Sequence, residues 1–110
     1  MSIFAVDLFC GVGGLTHGLE KSGIDVIAGY DIDEKCRIPY DRNNNAKFIN
    51  RSIMDLTPKE LASKYPKKSL KILAGCAPCQ PFSNYTQAQP KDSRWSLLEE
   101  FGRLAKEVKP

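Results

Sequence analysis

The sequence predicts an α/β fold, half of a doubly wound parallel sheet in strand order 3-2-1-4 with flanking helices. Three observations lead there. Four short apolar runs, Ile3 to Phe9, Asp25 to Tyr30, Lys47 to Asn50 and Leu70 to Ala74, alternate with stretches patterned as helix. The first run opens at once into Cys10-Gly11-Val12-Gly13-Gly14, the strand, glycine turn and helix of a nucleotide cradle. The 110 residues, 42% hydrophobic and 26% charged, suffice for one domain with one core.

Each element has its own signal. The first strand, Ile3 to Phe9, is broken only by Asp7. In the turn after it, Gly11 and Gly13 match the first two glycines of a dinucleotide fingerprint, but the third position is Thr16, which makes a poor NAD site. Leu15 and Leu19, four apart, are expected to face the sheet from a two-turn helix that Gly23 terminates. The second strand ends in Asp31-Ile32-Asp33. Asp31, an acid at the end of strand two, suits hydrogen bonds from ribose hydroxyls, while Asp33 suits the cap of the next helix. That helix, from Glu34 toward Asn45, should be kinked or shortened by Pro39, and Asn43-Asn44-Asn45 reads as a turn. After the third strand, Lys47 to Asn50, a loop from Arg51 to Leu56 precedes Thr57-Pro58-Lys59-Glu60, a capping box with proline at the first helical position. The short helix it starts should end near Lys64. From Ser93 the positions Leu97, Leu98, Phe101, Leu104, Ala105 and Val108 fall on one helical face, with Asp92 or Ser93 as cap and Trp95 as packing. His17 reads as a helix-face residue.

Composition narrows the setting. No apolar run is long enough to cross a bilayer, and Met1-Ser2-Ile3-Phe4 lacks the charged start of a signal peptide, so a cytosolic protein with free thiols is expected. Cys10, Cys36, Cys76 and Cys79 contain one close pair, which argues against a four-cysteine zinc site, and no metal is expected. The net charge of +3 is a mild hint of an anionic partner. Seven basic residues between Lys47 and Lys71, against Asp55 and Glu60, fit a phosphate-facing patch or a solvated surface equally well.

The fourth strand leads into Gly75-Cys76-Ala77-Pro78-Cys79-Gln80-Pro81-Phe82-Ser83. A thiol beyond a strand end, in a loop stiffened by Pro78 and Pro81, is placed for nucleophilic chemistry, because the thiolate is the reactive form. Ligands of parallel sheets bind outside the carboxyl ends of the strands. Phe9 to Gly14, Asp31, Ser52-Ile53 and Cys79 should therefore converge on one cleft.

With these residues assembled, the chain resembles the N-terminal half of the cytosine-5 DNA methyltransferases. The resemblance implies a Rossmann-like catalytic domain, of which residues 1–110 form the S-adenosylmethionine-binding and nucleophile-bearing part. Asp7-Leu8-Phe9-Cys10-Gly11-Val12-Gly13-Gly14 is similar to the family's first motif, with Phe9 on the adenine and the glycine turn toward the methionine part. Asp31-Ile32-Asp33 is similar to the second, with Asp31 on the ribose and Ile32 on the adenine. Pro78-Cys79-Gln80 resembles the catalytic motif, with Gln80 and Ser83 toward the substrate, and Leu97 would line the cofactor pocket. The third motif departs: Ser52 stands before Ile53 where an acid is usual, so Ser52 or a backbone carbonyl is expected to meet the adenine. A glutamate that contacts cytosine, an arginine motif and a target-recognition region are not in the sequence, which implies a fragment or one part of a split enzyme. The partners implied are DNA and a complementary chain or C-terminal portion, or self-association through the edge of strand four, with no membrane. The setting implied is bacterial restriction-modification in the cytoplasm, or the nucleus if eukaryotic.

Two other readings stay open. Cys76-Ala77-Pro78-Cys79 has the C-x-P-C form of a redox site, although Pro81 and the polar stretch after it fit a loop where such a site opens into a helix. The chain could also bind cofactor or partner without catalysis.

Overall fold

The computed structural model describes residues 2–76 and 93–110. Four strands, β1 (Ile3–Leu8), β2 (Asp25–Asp31), β3 (Lys47–Asn50) and β4 (Leu70–Gly75), form one sheet in the order β3-β2-β1-β4. All three pairings are parallel, as alternating strands and helices require. The helices are α1 (Gly14–Lys21), α2 (Arg37–Asn43), α3 (Pro58–Ala62) and α4 (Ser93–Val108), with 3-10 turns at Glu34–Cys36 and Ile53–Asp55.

Each face of the sheet carries its own core. On one side Val6, Leu8, Ala28 and Tyr30 pack with Ile53, Leu56, Leu61, Leu104 and Val108, which brings in α3 and α4. On the other, Ala5 and Val26 pack with Tyr40 and Phe48, beneath Leu19 of α1. Strict alternation would put Val26 and Ala28 on one face. They lie on opposite faces because the β1–β2 register slips between Ala5, paired with Val26, and Val6, paired with Ala28. The unpaired Ile27 is a bulge that reverses the phase of β2, turning Gly29 toward α2 and Tyr30 toward α3.

α1 ends as expected. Gly23 (φ 86) donates its N–H to the Glu20 carbonyl and Ile24 to that of Leu19, the paired bonds of a glycine-terminated helix. Its inward face differs from expectation. Leu15 is exposed and Thr16 is fully buried, because Asp7 and Tyr40 offer the Thr16 hydroxyl partners beneath the helix. Leu19 does pack inward.

Pro39 shortens its helix by sitting in the first turn of α2, where no intrahelical N–H is required, so the residues before it form a separate 3-10 turn. Asp33 caps that turn, accepting from Lys35 N–H at 3.0 Å. Asn43 belongs to α2 rather than to the turn, which starts at Asn44. The stretch expected as loop, Arg51 to Leu56, contains the 3-10 turn Ile53–Asp55.

Thr57 caps α3 through Glu60 N–H at 3.1 Å, but only half of the capping box forms, since the Glu60 carboxylate is bound to Arg51 at 2.7 Å. Along α4, Leu104 and Val108 are buried and Leu97 and Phe101 partly so, whereas Leu98 is exposed, one step beyond the packed stripe. The cap expected at Asp92 or Ser93 and the Trp95 side chain lie outside the description. The seven basic residues do not share one surface. Arg51 stands at the carboxyl ends of the strands, while Lys67 and Lys68 precede β4 at the opposite end.

Candidate cofactor cleft

At the carboxyl ends of β1, β2 and β4 lies a cleft of about 290 Å³, lined by Leu8, Phe9, Tyr30, Asp31, Ile32, Arg51, Ile53, Cys76 and Leu97. Phe9 follows β1 with φ 57, a left-handed backbone that costs a bulky residue roughly 1–2 kcal/mol. Its ring stacks on Phe101 of α4, with centroids 6.4 Å apart. That contact holds an aromatic side chain at the cleft wall. Ile32 is 68% exposed, an apolar side chain at the rim with almost no cover of its own.

Asp31 is the carboxylate of this cleft. One oxygen accepts from Gly11 N–H at 2.9 Å and the other from Asp33 N–H at 2.9 Å. The side chain thus ties β2 to the glycine turn, and a carboxylate with about four acceptor directions keeps capacity for further donors. Gly11 (φ 54) and Gly13 (φ 93) supply the left-handed turns between Phe9 and α1. Gly13 and Gly14 line a shallower hollow of about 200 Å³ with Val12, His17 and Asn43.

Behind the turn is a buried polar chain. The Thr16 hydroxyl donates to Asp7 Oδ2 at 2.6 Å and lies 2.9 Å from Tyr40 Oη. Because a hydroxyl has one proton, Tyr40 donates to Thr16. Asp7 is 1% exposed, and its Oδ1 has no partner among the described residues. Burial raises the Asp7 carboxyl above its ordinary 3.8, opposed by hydrogen bonds from Thr16. A carboxyl whose folded pKa is raised contributes stability that is fully present below the unfolded value and is lost as pH rises through the folded one. Relative to Asp7→Asn, the wild type should therefore be most favoured in acid and lose ground as pH rises above about 3.8. Urea titrations of both proteins across that range check this; a wild type that gains on Asp7→Asn as pH rises would contradict it.

The other sites singled out in the sequence are placed as follows. Cys10 is buried, its thiol pushed up to about 12 by burial and then by Asp7 and Asp31, and it lies in the core rather than in the cleft wall. Ser52 does not line the cleft, and its hydroxyl oxygen accepts from Met54 N–H at 3.1 Å. Ile53 and Leu97 both line it. Cys76 is exposed in the wall just past β4. Pro78, Cys79, Gln80 and Ser83 lie outside the described residues.

Sequence reasoning missed Leu8, Tyr30 and Arg51. Arg51 had been counted only as one charge among seven; its position directly after the third strand was the signal that would have placed it here.

An open parallel sheet with a strand-end acid, a glycine turn and an apolar cleft defines a nucleotide-type cofactor protein. Comparison with known proteins narrows the class. The family described as C-5 cytosine-specific DNA methylase matches residues 3–110. The chain belongs to that family. It is 50% identical over 105 residues to the type II methylase M.HgiDII of Herpetosiphon aurantiacus, covering 96% of this chain and 30% of that one. With the type II methyltransferase M.XorII of Xanthomonas oryzae pv. oryzae the identity is 35% over 108 residues, covering 96% and 26%. A crystal structure described as a prophage-encoded DNA modification methyltransferase from E. coli superposes with a TM-score of 0.76 at 29% identity, over 99% of this chain and 30% of that one. The chain thus spans less than a third of the length of these relatives. Among the described residues, no helix is long and apolar enough to cross a membrane.

Proposed function

We propose that this chain forms the cofactor-binding and nucleophile-bearing portion of a DNA cytosine-5 methyltransferase. The observation that carries the reading is Asp31, fixed by the N–H groups of Gly11 and Asp33 at the rim of an apolar cleft in a chain of this family. The donor set fits S-adenosylmethionine. Asp31 has acceptor capacity for ribose hydroxyls, and Phe9, Ile32, Ile53 and Leu97 offer apolar surface for a base. Gly11, Gly13 and Gly14 leave room for the methionine part. Asp7 and Cys10, buried behind the turn, act by holding its shape. When bound, this cofactor supplies an electrophilic methyl group on a sulfonium.

The chain's own chemical contribution is Cys79, with Pro78 and Gln80 beside it. Cytosine C5 is too weak a nucleophile to take the methyl unaided. Addition of the Cys79 thiolate at C6 breaks the ring's aromaticity and places electron density on C5. Once C5 has been methylated, loss of its proton restores the double bond and expels the thiolate. C6 is not reachable within a duplex, so the base must be turned out of the stack, at a cost of roughly a few kcal/mol, toward Gln80 and Ser83. DNA is the substrate this reading implies, and the bacterial cytoplasm the compartment, by analogy with the type II relatives. Among the described residues β4 pairs with β1 on one side and with no strand on the other. Such an edge invites another strand, and a complementary polypeptide, in the same chain or a second one, is the occupant proposed here.

Calorimetry with S-adenosylhomocysteine tests the cofactor assignment. Asp31→Ala should weaken binding by about 1.5–3 kcal/mol, the range for hydrogen bonds to a charged group, and Phe9→Ala should also weaken it. Tight binding of NAD, or an unchanged affinity in Asp31→Ala, would show the cleft to be misread.

A further inference from the structure

We infer that the base end of this cleft is read by the hydrogen-bond donors of Arg51, and so selects acceptor nitrogens of a purine ring rather than its exocyclic amino group. The inference rests on the cofactor reading above. Among the described side chains that line the cleft, Asp31 is the only carboxylate, and it is fastened to the glycine turn. Two acceptor side chains that follow β3 are engaged by other donors. Ser52 accepts from Met54 N–H and stands outside the lining, while both Glu60 oxygens are bound to Arg51, at 2.7 and 3.3 Å.

What faces the cleft there is donor chemistry. Arg51 has five N–H donors and no acceptor. Its Nη1 donates to Glu60, and its Nη2 donates to Glu60 and to the Asp55 carbonyl at 2.7 Å. The Nε–H and the second Nη1–H have no partner among the described residues. The guanidinium is therefore held rigid by groups behind it while keeping donors to spare. Tyr30 lines the same cleft. Its residue is 2% exposed, and its hydroxyl is buried with no partner among the described residues. That hydroxyl is closed off from the cleft, so Tyr30 lines it without donating into it and the spare donors are those of Arg51.

The test is calorimetry on the full chain with S-adenosylhomocysteine, its 1-, 3- and 7-deaza analogues and the analogue whose base is unsubstituted purine. In the wild type at least one deaza analogue should bind about tenfold more weakly, while the analogue without the amino group should bind within about twofold. In Arg51→Met that deaza penalty should shrink to about twofold or less, while in Tyr30→Phe it should persist. A merely structural role for Arg51 would lower all affinities and leave the penalty intact. Arg51→Lys, which keeps a charge beside Glu60 but loses the planar fork, keeps the test open if Arg51→Met fails to fold. A tenfold loss on removing the amino group with no deaza penalty, or a penalty unchanged in the Arg51 variants, overturns the inference while leaving the cofactor reading standing. Failure of S-adenosylhomocysteine itself to bind overturns both.

Discussion

Replacement of Cys79 by serine is expected to reduce methyl transfer to below about a thousandth of the wild-type rate, while Cys76→Ser retains most of it. The comparison is sharp because the two thiols are three residues apart in one segment, and because Cys76 is exposed in the wall of the cleft. Exposure beside a cofactor site would by itself favour Cys76. Cys79 is favoured instead by its neighbours, Pro78 and Gln80, which carry the resemblance to the catalytic motif. Cys10 is no competitor, since a buried thiol pushed up to about 12 is almost wholly protonated near neutral pH. The assay is transfer of labelled methyl to cytosine-containing duplex DNA, with this chain alone and together with a downstream portion such as its longer relatives possess. The isolated chain should show no turnover at ordinary enzyme rates, because the reading assigns the groups that hold DNA to that other portion. A 5-fluorocytosine oligonucleotide should trap a covalent adduct on Cys79. Equal losses from both serine substitutions, or an adduct on Cys76, would remove the assignment.

The topology could be read from the sequence because it rests on alternation: apolar runs separated by helical stretches leave few ways to build a parallel sheet. Gly23 and Thr57 could be read because caps are local chemistry. What escaped depended on partners distant in the chain. Thr16 rather than Leu15 turns inward because Asp7 and Tyr40 are beneath it, and neither is near it in sequence. The bulge at Ile27 is invisible in a run of apolar residues, yet it decides which core Gly29 and Tyr30 join. The cleft was legible as the meeting of Phe9, Asp31, Ile32, Ile53 and Leu97, all at strand ends or on a patterned helix. Arg51 was not, because only the fold reveals that Glu60, nine residues on, holds it there.

Gly29→Ala should destabilise the fold by about 3 kcal/mol. Gly29 sits mid-strand in β2, paired with Asp7 of β1 and Phe48 of β3. Alanine is tolerated by the backbone of a strand, so the penalty comes from space alone. A Cβ at this position would lie 2.5 Å from Tyr40 Oη, 2.7 Å from Cζ and 2.8 Å from Cε2. The ring has nowhere to retreat. It is fully buried, tilted against Phe48 with centroids 5.6 Å apart, and packed across Gly13, where an added Cβ would come within 2.7 Å of it. Displacing it also breaks the Tyr40–Thr16 hydrogen bond and loosens the buried chain to Asp7 behind the glycine turn. Gly18→Ala is the control: it lies inside α1 with nothing within 4 Å of its added Cβ, and should stabilise by roughly 0.5–1 kcal/mol. Tyr40→Leu, which removes the clashing atoms, costs about 2–4 kcal/mol alone through the cavity it leaves. Combined with Gly29→Ala, the loss should fall short of the sum by at least about 1 kcal/mol, because the second change relieves the strain of the first. Chemical denaturation of the two single variants and the double variant measures that coupling. Strict additivity would mean that Tyr40 is not what keeps position 29 a glycine.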